Sequence, residues 1–266
     1  MSEYVFNQAW YQEQQRQLTL EALHDEATTH RLATLGVGAG WRCLEVGCGA
    51  GSVACWLAER VGTSGQVVAT DLEPRYFVGE PSANLEIRRH DIRVDPLEES
   101  AFDLVHARAV VEHLPERDEI LARLVAATRP GGWVVIEDSF FGGAMVATIA
   151  ACTTPHDYAD LEARTYAAMA TLFSARGARA DYGPELPRAL RAAGLVKVEA
   201  DLHARFTWGG AAQDFRRLGM DQLRGPVRQL GLLTDEEIAS IYALTHREDA
   251  AYIPLPMVTA WGQRPA

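Results

Sequence analysis

Three glycines at alternate positions, Gly47, Gly49 and Gly51, follow an acid, Glu45, and lead into Ser52. Glycine has no Cβ, so such a turn can take left-handed dihedrals and let a ligand lie against bare backbone. Leu44 and Val46 before the turn read as the end of a strand. Val53, Ala54, Trp56, Leu57 and Val61 after it read as a helix, whose first-turn N–H groups would point at the ligand. Strand, glycine turn and helix together suit a nucleotide. The dinucleotide fingerprint G-x-G-x-x-G seats a pyrophosphate on the helix N-terminus. Here the third glycine comes one position early, which disfavours a nicotinamide dehydrogenase. An ordinary glycine-rich turn of an α/β domain is the plainer alternative.

Further acids follow at intervals. Gln66–Asp71 is a short apolar strand ending in a carboxylate 20 residues after Gly51, the spacing at which a second strand delivers an acid to ribose hydroxyls. A carboxylate accepts two hydrogen bonds, which matches a vicinal diol; the alternative for Asp71 is a turn acid ahead of Glu73-Pro74. Leu85–Ile92 reads as a third strand with Asp91 at its end, Phe102–His106 as a fourth leading into Ala107-Arg108, and Trp133–Asp138 as a fifth after Gly131-Gly132. Alternation of strand and helix predicts a parallel sheet covered on both faces, with Glu45, Asp71, Asp91 and His106 at the strand ends where ligands bind.

The form E-x-G-x-G-x-G resembles motif I of the class I S-adenosylmethionine (SAM) methyltransferases, and the run from Arg42 to Ser139 resembles a complete core of that family. Phe102–Pro115 and Arg129-Pro130-Gly131-Gly132 resemble the small-molecule enzymes of the ubiquinone/menaquinone-biosynthesis group. SAM carries no phosphate and has an ammonium on its methionine end, so an acid beside the turn suits it. The resemblance implies an α/β, Rossmann-like sheet of seven mostly parallel strands sandwiched by helices. It implies SAM as cofactor and S-adenosylhomocysteine (SAH) as product. The implied cofactor contacts are Glu45, Gly47, Cys48, Gly49, Asp71, Leu72, Asp91 (at the adenine amino group), Ile92, Ala107 and Arg108. Arg108 has two readings, the methionine carboxylate or an acid on a helix.

Composition limits the partners. The 266 residues carry a formal charge of −11, which repels the phosphate backbones that nucleic-acid binders must neutralise. No apolar run reaches the roughly 18 residues of a membrane span, and Met1–Tyr4 has no signal-peptide character, so the expected location is cytoplasmic. The four cysteines form no C-x-x-C pair; each reads as a small buried hydrophobe, without a metal.

One domain, 1–266, is expected, with a helical cap at 1–38, the SAM-binding core at 40–140 and helical insertions at 141–183 and 208–250. In the cap, Ala9, Leu18, Leu20, Leu23 and Ala27 recur at near-helical spacing; the resemblance implies that it folds over the cofactor, with Tyr4, Trp10 and Tyr11 as candidate covers. A helix at Leu186–Ala193 ends at Gly194, Val196–Phe206 is a sixth strand, Thr234-Asp235-Glu236-Glu237 resembles a capped helix start, and Ile253–Gly262 is a last strand, antiparallel by the resemblance. The insertions, rich in Met145, Tyr158, Tyr166, Met169 and Phe173, are expected to form an apolar lid over a small organic acceptor. Candidate bases are His106 and His113, then His156 and His203, since histidine titrates in the useful range. Strand four ends in histidine and Glu137-Asp138-Ser139 alone makes no metal site, so metal-independent in-line methyl transfer to O, N or C of a partly apolar metabolite is expected. The alternatives are a SAM-binding enzyme of cyclisation or isomerisation and a non-catalytic SAM-binding partner protein.

Overall fold

The computed structural model describes residues 6, 11–80, 82–208 and 211–266. Helix α1 (Glu13–Thr34) leads into β1 (Arg42–Val46), α2 (Ser52–Val61), β2 (Gln66–Asp71), β3 (Leu85–Arg89), β4 (Phe102–Arg108), α3 (Arg117–Ala127) and β5 (Thr128–Ser139). Two helices, α4 (Met145–Ala151) and α5 (Ala159–Ala175), interrupt the alternation before α6 (Leu186–Ala192) and β6 (Val196–His203). The chain continues through β7 (Thr207–Trp208), α7 (Ala211–Gln229), α8 (Asp235–Thr245) and β8 (Ala251–Tyr252) to β9 (Met257–Gln263).

Seven strands form one sheet in the order β3-β2-β1-β4-β5-β9-β6. All neighbours are parallel except β9, which runs antiparallel to both β5 and β6. Every residue of β4 is buried, as expected for a central parallel strand covered on both faces. Leu44, Val105, Val134 and Ile136 pack on one side against Ile120, Leu121 and Leu124 of α3 and Leu186 and Leu190 of α6. Cys43, Val67, Leu104 and Val135 pack on the other against Leu32 of α1 and Val53, Leu57 and Val61 of α2. The chain leaves β1 for β2 on one side and returns to β4 on the other, so β1 and β4 flank the crevice where the strand order reverses, the usual ligand position of such sheets.

The seven-stranded sheet matches expectation, with shifted ends: the third strand stops at Arg89, the sixth at His203, and the last begins at Met257 because 253–256 run irregularly. Asp91 therefore lies in the turn past β3, and Thr207–Trp208 pairs with Ala251–Tyr252 as a separate ribbon. Thr234 and Glu237 make the expected reciprocal cap on α8.

The apolar residues of the two insertions pack together. Met145, Ile149, Leu161, Tyr166 and Phe173 join Phe215, Met220, Leu223, Ile238 and Ile241 in a single cluster with Phe141 and Phe6. Leu20 and Leu23 of α1 and Ala109 pack against this cluster. At its edge Arg216 of α7 pairs with Glu162 of α5, both side chains nearly sealed from water, and the guanidinium lies 4.0 Å from the centre of the Tyr252 ring. A buried pair is costly to break because the remaining charge has no water. Glu162→Ala is expected to cost about 3–5 kcal/mol, read as a lower urea midpoint; an unchanged midpoint would show the pair to be dispensable.

Candidate cofactor site

A cleft open to solvent lies at the C-terminal ends of β1, β2 and β4 under the N-terminal half of α1. Its wall includes Glu45, Gly47, Cys48, Gly49, Asp71, Leu72, Asp91, Ile92, Arg108 and His113. These are the sequence-level candidates brought together, apart from Ala107 and His106, which are buried within β4. His156 is exposed and His203 lines a different groove, against α1. Tyr4 and Trp10 lie outside the described residues, and Tyr11 is 85% exposed.

The glycine turn is built around backbone. Gly47, at φ +72°, could not carry a Cβ, which would lie 2.4 Å from Cγ2 of Val110. Gly49, at φ +55°, has only Gln17 and Glu21 of α1 near its missing Cβ, at 3.7 and 3.8 Å. Asp71 sits beside it: Oδ2 accepts from the Gly49 N–H at 3.0 Å and Oδ1 from the Glu73 N–H at 2.8 Å. Burial raises the Asp71 pKa, and these amides oppose the rise. Past β3, Asp91 is held by Arg93 through two side-chain hydrogen bonds of 2.9 and 2.7 Å, which keep its pKa low.

The helix after the turn departs from expectation. The N–H groups of Gly51 and Ser52 donate to Oε1 of Glu21 at 2.9 and 3.3 Å, so the start of α2 faces a side chain of α1 rather than a ligand. Ser52 Oγ donates to Asp25, again on α1.

Behind the cleft is a buried charge network. Nδ1 of His106 lies 2.6 Å from Oε2 of Glu45, and its Nε2 lies 3.8 Å from Oε1 of Glu137. Burial pushes the His106 pKa down, but the two carboxylates outweigh it and raise the value to about 9. Glu137 is held to about 2 against burial by His106, Arg108 and the Thr28 hydroxyl, which donates to it at 2.7 Å. Complete burial raises the Glu45 pKa, with His106 opposing. Arg108 donates to Thr28 Oγ1 at 3.0 Å and Asp25 Oδ1 at 2.9 Å, and it also lines the cleft. His106 is thus a buried cation binding strands together, and the expectation that it faces a substrate is corrected.

His113 does line the cleft. Its ring lies 5.2 Å from that of Phe173, and Nε2 is 3.3 Å from Oε1 of Glu112. Burial, with the nearby Arg16 charge, lowers its pKa to about 3, so it is neutral. Among the described residues, no group of three His, Cys, Asp or Glu side chains could hold a metal ion.

Residues 44–136 match the family model described as "Methyltransferase domain". Over that stretch the chain is similar to the methyltransferase domain family. Methyltransferase str3 of Strobilurus tenacellus is 32% identical over 113 residues, covering 42% of this chain and 40% of that protein. The ubiquinone biosynthesis O-methyltransferase of Bordetella bronchiseptica is 33% identical over 109 residues, covering 38% and 44%. The alignments thus span less than half of these curated relatives. Phosphoethanolamine N-methyltransferase 2 of Haemonchus contortus, solved with SAH, shares the fold at a TM-score of 0.59 and 15% identity, over 96% of this chain and 58% of that one. The YcgJ protein of Bacillus subtilis does so at 0.57 and 12%, over 91% and 100%.

Sequence reading missed the wall contributed by α1, namely Arg16, Gln17, Leu20 and Glu21. It followed the leucines of that helix, whereas the buried face is Glu13, Arg16, Thr19, Glu21, His24, Thr28 and Leu32. The signal was present as polar residues three to five apart.

The histidines make stability depend on pH in opposite directions. A pKa raised from 6.5 to about 9 means that the folded state holds the His106 proton more tightly than the unfolded chain. That contribution is complete below pH 6.5 and lost as pH rises through 9. His24 and His113, both lowered to about 3, act oppositely: their contribution is present above pH 6.5 and declines as pH falls toward 3. In thermal unfolding from pH 6 to 10, the advantage of wild type over His106→Gln should shrink with rising pH. The change should be on the order of 3 kcal/mol, at about 1.4 kcal/mol per pKa unit. A constant gap would show that His106 is not charged.

Proposed function

We propose that the protein is a SAM-dependent methyltransferase acting on a small, partly apolar metabolite in the cytoplasm, without a metal. The observation that carries this reading is the junction of an unobstructed glycine turn with Asp71 on one wall and Ile92 on the next, all in one cleft. The residues suit the cofactor. Gly49 has no side chain where the cleft needs space, and Asp71 retains lone pairs for a ribose diol beyond its two amide donors. SAM supplies a methyl group already activated on a sulfonium, which passes to an O, N or C nucleophile and leaves SAH.

The chain's own residues bind, orient and exclude water, which is most of what an in-line transfer asks of a protein. Leu72 and Ile92 offer apolar surface for the adenine. Asp91, already neutralised by Arg93, keeps acceptor capacity for the adenine amino group. At the other end Leu20, Ala109, Val110, His113 and Leu114 form a mostly apolar wall for the acceptor. Neutral His113 can accept a hydrogen bond from an acceptor hydroxyl or amine there, and its low pKa suits orienting the nucleophile more than taking its proton. The insertions at 141–183 and 208–250 act from behind: Phe173 backs His113, and Gln222 donates to Glu13 under the start of α1 at 2.8 Å. Relatives named as methyltransferases of ubiquinone and menaquinone precursors support a small-molecule acceptor, and the net charge of −11 disfavours nucleic acid.

Calorimetric titration with SAM, SAH and NAD tests this reading directly. SAM and SAH are expected to bind and NAD is not; a folded sample binding neither SAM nor SAH would refute it. Asp71→Ala should weaken SAM binding by about 1–3 kcal/mol, and unchanged affinity would remove the ribose role. Gly49→Val should abolish binding, since the branched side chain enters the cleft at a left-handed position; normal affinity there would sink the turn assignment.

A further inference from the structure

The cleft contains four carboxylates, and three of them either have a cationic partner or take a donor on each oxygen. Glu45 contacts His106 at 2.6 Å. Each oxygen of Asp71 takes a backbone amide, and each oxygen of Asp91 takes the Arg93 guanidinium. Glu21 is different. It is 8% exposed, yet among the described residues no cationic side chain pairs with it and all its donors fall on one oxygen. Oε1 receives the Gly51 and Ser52 amides, while Oε2 receives no donor from the described residues. Arg108, the nearest candidate, directs its N–H groups to Asp25 and Thr28.

Position adds a second constraint. A Cβ on Gly49 would lie 3.8 Å from Glu21 Oε1, so the carboxylate hangs from α1 directly across the turn that would carry the cofactor. A carboxylate largely removed from water is unfavourable without a compensating positive group. The start of α2 supplies partial charge only, and burial still raises the pKa of Glu21 despite the Ser52 amide. A small cation delivered by the ligand at Oε2 would complete its coordination. The amino-acid end of SAM has such a group next to its carboxylate, and the neutral Gly47–Gly49 backbone has none to compete.

Resting on the reading that SAM fills this cleft, we propose that Glu21 binds the α-ammonium of the cofactor's methionine end, reaching it from the covering helix rather than from the sheet. Glu21 thereby selects ligands that retain the amino acid over those that carry only the adenosyl thioether. The test is equilibrium binding of SAH and of 5′-methylthioadenosine to wild type and to Glu21→Gln. Glutamine keeps an acceptor oxygen for the Gly51 and Ser52 amides, so α2 stays capped. SAH affinity is expected to fall tenfold or more, in line with loss of a charge-assisted hydrogen bond, while 5′-methylthioadenosine affinity stays within about twofold. Equal losses for both ligands would make Glu21 a purely structural cap and overturn the proposal, as would no loss for either. Wild type that binds neither ligand would instead overturn the cofactor reading, a separate and distinguishable result.

Discussion

The His106 imidazolium, enclosed between Glu45 and Glu137, is the interaction on which the arrangement depends. A lone charge at that depth would be untenable; with two carboxylates beside it, it becomes a bond between three adjacent strands. Register makes this possible, since Glu45 of β1 is paired with His106 of β4, while Glu137 of β5 lies opposite Arg108. The same carboxylate then accepts from Thr28, and Arg108 donates to both Thr28 and Asp25. Charge in the sheet thus determines where α1 lies and the shape of the cleft beneath it.

The two walls of that cleft divide the chemistry. The sheet side offers backbone and fixed carboxylates at strand ends, oriented by His106, by amides or by arginine. The α1 side offers polar side chains from a helix whose buried face is not apolar, an unusual face for a helix on a globular core. Each polar group on that face needs a partner, and the partners are the glycine turn, Ser52, Arg108 and Glu137. The insertions brace this from outside with a core of their own.

Much of this was legible in the chain. Glycines at alternate positions, acids at the ends of apolar runs and the Thr234–Glu237 cap each have a local cause, and they located the sheet, the turn and most of the cleft. What escaped was non-local. His106 at a strand end reads the same whether it faces a ligand or two buried carboxylates, because its partners lie 61 residues back and 31 ahead along the chain. Aromatics in the insertions read the same whether they line a pocket or fill one another's gaps. The pairing of Arg108 with Asp25 spans 83 residues, and no pattern near either residue announces it.

The borrowed cap on α2 has a consequence for how the protein folds. Helix α2 begins at a left-handed glycine that offers no capping side chain of its own, and its acceptor comes from Glu21, 30 residues earlier. Thr28 reaches Glu137 across 109 residues and Arg31 reaches Asp201 across 170. Closing such distant contacts demands much chain ordering before any of them is gained. The stretch that matches the methyltransferase domain model, 44–136, therefore depends on contacts from outside it. Cut out alone, it would lack the helix that neutralises its exposed amides and buried charges, and cooperativity would belong to the chain from α1 to β9 as a whole.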